Sequence, residues 1–406
     1  MISTTHISTV SLPDLARGCV SLTRGIVARS VALIIPAVGT GLRNGYKQVA
    51  QLALSSPVLL DTLVSVSTTY MHLRGIVPQS SALRRQSQAL ASLRRSISTL
   101  SNAGDIVPPD TACLQRDLLA TILLQVTVEM ANGTSVIQTH LPYAISLFKS
   151  LGYDKCRPTS SVGIVLVQRM CYIDVLSSVF WRRRPLLPLD FWLLHEEEYQ
   201  VDEKTPSFQE TTGCSLWTMS ILANISHLVA DMEDGVGEDL ILPQAMRLES
   251  KLTESAKRYF DSEMDPQSNQ EDSSRHLGVV CESYYWSAVI LLQRRLCNDS
   301  RDSRRVQFCL GNLIRLLESL PLGCGPDTQI SLPLYVAAQV AIKQEHRDRL
   351  RAKSTDLSGI YPLKTRTALV AAFEVMWAAC DSQAINDQAG GARDSDPMKD
   401  NGLFIC

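Results

Sequence analysis

The amino-acid sequence predicts an all-α protein, an irregular domain of antiparallel helices numbering about ten to twelve. Three observations lead there. Apolar residues recur at helical spacing along most of the 406 residues. From Gln115 to Met130, for example, Leu119, Leu123, Val126 and Met130 fall at i, i+4, i+7 and i+11 on one stripe. Pro78, Pro108, Pro109, Gly152, Pro185, Pro188, Pro206, Pro321, Gly323 and Pro362 stand between the periodic segments, where helices stop. Strand-like alternation is rare, and aromatics at 6% with only 21 glycines are few for a strand-rich, turn-dense chain.

The elements follow in order. Residues 1–38 read as a flexible basic leader. Arg17, Arg24 and Arg29 among many Ser and Thr, with Asp14 the single acid of the first 35 residues, share the composition of a transit peptide. The apolar run Ile26–Val38 contains Arg29 and Pro36 and is too short to span a bilayer, so no membrane partner is expected. Helices are predicted over 46–73, 81–100, 115–130, 135–151, 161–181, 213–231, 238–260, 276–297, 303–319 and 328–352. A last one carries the stripe Leu369, Phe373, Met376, Trp377 and Cys380. These make one helical domain over 39–384. Within it the segment 261–275 (DSEMDPQSNQEDSSR) has no period and no aromatic or β-branched residue, and reads as a disordered loop. Residues 385–406 read as a flexible tail. No repeat is visible, which argues against a regular solenoid.

A net charge of −2 excludes a uniformly basic nucleic-acid binder, but the charge is uneven. Residues 1–100 hold ten Lys/Arg against Asp14 and Asp61, a net of +8, leaving −10 on the rest. The eleven cysteines never come closer than twelve positions, Cys297 to Cys309. A zinc module needs two thiolates from one tight turn, so none is expected. An odd count without a cleavable signal disfavours a disulfide framework, and reduced cysteines buried as small apolar residues are the simplest reading.

Catalytic motifs are absent: there is no GxSxG elbow, no phosphate loop and no GxGxxG. His195 opens HEEEY, with Tyr199 where a zinc protease has its second histidine. The one enzymatic reading is a helical magnesium site of the terpene-cyclase kind, which needs two facing carboxylate clusters. Asp231, Glu233, Asp234 and Glu238 form one acidic patch and Asn298, Asp299 and Asp302 another. The first lacks paired aspartates, and the second has Asp302 and Val306 where NDxxSxxxE wants Ser/Thr and Glu. No catalytic residue, metal ligand or cofactor is therefore assigned.

Two basic stretches remain. In Ser81–Ile97, Arg84 and Arg95 are eleven apart and align on a helix, with Leu83, Leu90, Leu93 and Ile97 on the opposite side. Arg84, Arg85, Arg94 and Arg95 are the candidate contacts for an acidic partner or phosphates, in competition with a plain solvated outer face. Arg182, Arg183 and Arg184 follow Trp181 as a second cationic patch, which a helix C-terminus also explains.

Taken together, segments spread along the chain resemble the fungal-specific transcription factor domain, the helical body that accompanies a six-cysteine, two-zinc cluster in fungal regulators. They are LALSSPVLLDTLVSVSTTYMHL (52–73), Ser81–Leu100, and the long segment 117–152 with His140, Leu141 and Ala144 at a helix turn. FWRRRPLL (180–187), YYWSAVILLQRRL (284–296), LPLYVAAQVAIKQEHRDRLR (332–351) and FEVMWAACD (373–381) follow in the family's order. The resemblance covers about residues 40–383 and implies a nuclear transcription regulator, with control of a secondary-metabolite gene cluster as the family's habit. Since no cysteine pair has the zinc-cluster spacing, it does not imply base reading by this chain. DNA is then reached indirectly, through a protein partner such as a complete zinc-cluster regulator, with a small molecule as effector. The other readings are a cytosolic ligand-binding or scaffold protein and, more remotely, the cyclase.

Overall fold

The computed structural model describes residues 45–101, 111–133, 137–194, 205–262 and 272–387. The predicted leader at 1–38, His195, most of the loop at 261–275 and nearly all of the tail lie outside the described residues. Among the described residues there are fifteen α-helices, one 3₁₀ turn and no strand. The surplus over the expected count comes from breaks and from short helices. Predicted helix 46–73 is two helices, α1 (Gly45–Ala53) and α2 (Pro57–Leu73). Pro57 sits at N1, where its missing N–H costs nothing, and disfavours helical geometry at Ser56, whose φ/ψ of −121° and 102° is extended.

Next come α3 (Gln79–Ser101), α4 (Thr111–Asn132), α5 (Ile137–Ser150) and α6 (Ser161–Trp181). The pattern for α4 called for one stripe, but every residue from Leu118 to Ala131 is buried. In α6 everything from Gly163 to Phe180 is buried. A helix apolar on all sides belongs in the middle, and α6 packs against α1, α4, α5 and the later helices of the chain. It is long and apolar enough to cross a membrane, yet 94% of that window is covered by other helices, which accounts for its composition. Ser160 caps it by accepting the Gly163 N–H.

The chain continues through two one-turn helices that the periodicity cannot resolve, α7 (Leu189–Leu194) and α8 (Phe208–Thr212). A capping box between Ser207 and Glu210 starts α8. Then follow α9 (Leu216–Glu233), α10 (Glu238–Ser262), α11 (Asp272–Arg295) and α12 (Arg304–Ser319). Helix α11 starts inside the stretch predicted to be a loop: Asp272 places an acid in the first turn, which suits the positive end of the helix dipole. Predicted helix 328–352 is split into a 3₁₀ turn (Pro326–Gln329), α13 (Ser331–Val340) and α14 (Gln344–Ile360). The stop at Ala341 is held by Arg347, whose Nε donates to the Ala341 carbonyl at 3.1 Å. The last helix is α15 (Lys364–Asp387), which packs on α13, on α14 and back onto α4. One apolar cluster runs from Val49 to Trp377 through all these elements.

Two features of this packing predict measurable behaviour. Gly213 ends α8 with φ +76°, and a Cβ there would lie 2.9 Å from the Gln329 Cβ and 3.0 Å from the Val280 Cγ1. Gly213→Ala is expected to cost about 2–3 kcal/mol in denaturant melts, combining left-handed strain with overpacking. His140, His227 and His346 are each pushed below the usual histidine pKa, chiefly by burial. The unfolded chain binds protons near pH 6.5 that the folded chain refuses, so this contribution is intact above that pH and is lost as pH falls below it. Thermal melts at pH 7.5 and 5.5 should show the lower midpoint at 5.5. His227→Gln should reduce the difference, its ring nitrogen being 3.1 Å from the Leu187 carbonyl oxygen.

Candidate functional site: an arginine and tyrosine cleft

Where α2, α4, α6, the 3₁₀ turn and the start of α15 converge, a cleft leaves about 40 Å³ for the centres of water-sized molecules, enough for two or three waters or a small polar group. Tyr70 comes from α2, Thr127, Met130 and Ala131 from α4, and Arg169 and Tyr172 from α6. Thr328 and Gln329 close it from the turn, with Tyr361, Leu363 and Arg366 on the far side. Two arginines in so small a space are unusual. Arg169 and Arg366 are only 8% and 6% exposed, and charged groups are buried at that depth only for a reason.

A shell of hydrogen bonds fixes the walls. The Tyr172 hydroxyl donates to the Gln329 side chain at 2.8 Å and lies 3.2 Å from the Tyr284 hydroxyl, which donates to the Gln329 carbonyl at 2.9 Å. Asp327, fully buried, accepts the Gly323 and Gly325 N–H groups and the Tyr361 hydroxyl, the last at 2.9 Å. Lys353 Nζ donates to the Leu320 carbonyl at 2.6 Å. The 3₁₀ turn is thus held at both ends. One Arg366 Nη donates to the Thr328 carbonyl at 2.8 Å, and its guanidinium stands 4.9 Å over the Tyr361 ring, while Arg169 stands 5.2 Å over the Tyr172 ring.

Part of the lining is left unused. The Arg366 Nε finds no acceptor, and among the described residues the Tyr70 hydroxyl has no hydrogen-bond partner. Burial pushes the Tyr70 phenol up to about 12, so it stays a donor at neutral pH. Burial also lowers the Arg366 guanidinium from its ordinary value, against the field of Asp327, but from so high a start that it stays charged.

The residues singled out from sequence lie elsewhere. Arg84, Arg85, Arg94 and Arg95 are all exposed on α3, a helix without an acid, and none forms an ion pair among the described residues. The face opposite them differs in part from the expectation. Leu93 is buried and Leu90 and Ile97 half-buried, but Leu83 is 53% exposed, and Ala82, Ala89 and Ser92 take the contact with the core. Small residues there let α3 lie close against α2.

Arg182, Arg183 and Arg184 face inward to their own chain. Arg182 pairs with Glu233 at 3.3 Å, Arg183 with Asp174 at 3.4 Å, and Arg184 with Asp231 and Asp234 at 2.7 and 2.8 Å. These pairs take up all three arginines of the cationic patch and three of the four acids of the first acidic patch. In the second patch, Asp299 pairs with Arg305 at 3.3 Å. No group of three His, Cys, Asp or Glu side chains is placed to hold a metal among the described residues. Arg184→Ala, at an exposed network, should cost at most about 1 kcal/mol by chemical denaturation.

Sequence reading passed over the cleft because its residues lie up to 296 positions apart and share no motif. A signal was present nonetheless: Arg169 and Asp174 are the only charged residues in the apolar run 161–181. A charge that a core helix retains has a buried polar task.

No curated protein and no solved structure matches this chain. The family model for the fungal specific transcription factor domain matches residues 28–385, a range that contains the predicted helical body 39–384, and on that match the chain belongs to the fungal specific transcription factor domain family.

Proposed function

We propose that this chain regulates transcription in the nucleus through a protein partner, using the arginine face of α3 to dock on an acidic surface. The family is one of transcription-regulatory domains, and the match over 28–385 is the observation that carries the regulatory role. The docking part is supported by Arg84, Arg85, Arg94 and Arg95, four exposed cations on one helix with no neutralising partner among the described residues. Such a surface steers an acidic partner and raises the rate of encounter. Phosphate attraction alone confers no sequence choice, so DNA is reached through the partner. The genes governed are those of a secondary-metabolite cluster.

Deletion of the gene tests the regulatory role, with transcripts and metabolites measured in the same cultures. A coherent set of neighbouring genes should change together. Steady transcripts alongside loss of one metabolite and accumulation of its precursor would replace regulation by catalysis or transport. A double variant, Arg84→Glu with Arg95→Glu, tests docking. It should melt like the parent, because both positions are exposed, and yet reproduce the deletion transcripts. Unchanged transcripts in that variant would remove α3 from the account. Purified protein should not retard short duplex DNA selectively, and a sequence-selective complex that survives added salt would contradict indirect recognition.

A further inference from the structure

We propose that the outer face of α12 is a second protein contact, separate from the arginine face of α3, and that it takes an acidic amphipathic helix of a partner protein with Phe308 as the apolar anchor. The inference does not rest on the docking assigned to α3. Arg304, Phe308, Gly311 and Arg315 fall at i, i+4, i+7 and i+11, one stripe along the helix, and all four are exposed. At 66% exposure, Phe308 is the barest large apolar side chain among the described residues. Its ring meets Trp286 of α11 edge-on at 6.1 Å between centroids, and Trp286 meets Tyr285 in the same way at 5.3 Å. Trp286 and Tyr285 are only half-buried, so the three rings form one aromatic patch that reaches solvent. Aromatic rings beside arginines have the composition of an interface anchor. Gly311 adds to it. A glycine in mid-helix costs stability relative to alanine, and a Cβ here would meet nothing within 4 Å, so no contact inside the chain requires the glycine. It leaves a flat seat beside Phe308 for a partner's side chain.

Charge selects the occupant. Arg304 and Arg315 bracket the patch and neither meets an acid among the described residues; Arg315 donates only to the Asn312 side chain, at 3.0 Å. The acids at the rim are committed: Glu282 accepts the Trp286 Nε1–H at 3.1 Å, and Glu249 and Asp299 are drawn to Arg305. A second copy of this face would set like charges against each other. At the rise of an α-helix the two arginines stand about 16 Å apart. The partner helix therefore carries carboxylates about three turns apart with apolar side chains between them.

Anisotropy titrations of the full chain with a fluorescein-labelled helical peptide of about twenty residues test the assignment. The peptide carries glutamates at the spacing of Arg304 and Arg315, with leucine and phenylalanine between them on the same face. One control replaces its glutamates by lysines, the other its leucine and phenylalanine by serines. Saturable binding of the acidic peptide at micromolar protein is expected, weakening as salt is added, with neither control binding. Phe308→Ser should melt like the parent, because the side chain is exposed, and should weaken the peptide about thirtyfold, the loss that marks an interface anchor. Arg304→Glu with Arg315→Glu should abolish binding, whereas Arg84→Glu with Arg95→Glu should leave it unchanged. Absence of saturable binding at hundreds of micromolar protein would overturn the proposal, as would equal affinity in Phe308→Ser. Loss of binding in the α3 variant would do the same, because it would place the peptide on α3.

Discussion

Asp174→Ala is expected to destabilise the protein by about 3–5 kcal/mol, because it leaves several buried donors without an acceptor at once. The Asp174 carboxylate is fully buried in α6 and accepts the backbone N–H groups of Leu186 and Leu187 at 3.0 and 2.9 Å. It also meets the Arg183 guanidinium at 3.4 Å. It fastens the chain where it leaves α6 through Arg182, a left-handed residue at φ 49°. Burial raises the Asp174 pKa above the ordinary carboxylate value, against the lowering effect of these donors. The sign is that of a group favoured neutral in the fold: its contribution is full below the ordinary carboxylate pKa and declines as pH rises through the raised one. Asp174→Asn keeps an acceptor without the charge and should cost far less, about 1–2 kcal/mol. Denaturant midpoints for the two variants at pH 7 check both figures, and equal losses would mean that geometry, not acceptor supply, sets the cost.

Trp377→Ala should cost about 3–5 kcal/mol. The indole is 2% exposed on α15, and its Nε1 donates to the Ala338 carbonyl at 2.9 Å. Arg347 and Arg351 stand 5.6 and 5.3 Å from the ring centroid. Arg347 is itself locked by a two-pronged ion pair to Asp381 at 2.7 and 2.8 Å. Trp377 thus joins α13, α14 and α15, and its loss opens a cavity under two cations. Trp377→Phe retains most of the apolar area but not the hydrogen bond, and should lose about 1–2 kcal/mol. Equilibrium denaturation of both variants measures the difference.

How far the sequence could be read depended on which force decided each feature. Periodicity placed α3, α5, α6, α9, α10, α12 and the stripe of α15, including Phe373 and Trp377, because each presents a sustained apolar pattern. It ran α1 into α2, although Pro57 was visible and is a boundary signal in its own right. It ran the 3₁₀ turn, α13 and α14 together because no proline or glycine marks the break at Ala341, whose carbonyl is taken up by Arg347 six residues on. Helices α7 and α8 are too short for any period to register. The all-α class was legible throughout.

The cleft was not legible, and the reason is physical. Tyr70, Arg169 and Arg366 lie far apart in the sequence and belong to no shared motif, and only the convergence of three distant helices brings them together. The triple-arginine stretch shows the converse error: adjacent charges are conspicuous in a sequence, yet Arg182, Arg183 and Arg184 are consumed by acids from α6 and α9.

The packing of α15 against α4 sets the order in which the protein can be made. Helix α4 ends at Asn132, and Gly133 just beyond it would meet the Lys364 Cβ at 3.1 Å if it carried a side chain, so the two segments close on each other. During translation some 230 residues must leave the ribosome between α4 and the helix that covers it. The apolar flank of α4 therefore waits, uncovered, through most of synthesis, a window in which chaperone binding competes with aggregation. A premature stop anywhere before α15 would leave that flank exposed for good, making truncated chains substrates for degradation rather than weakened regulators.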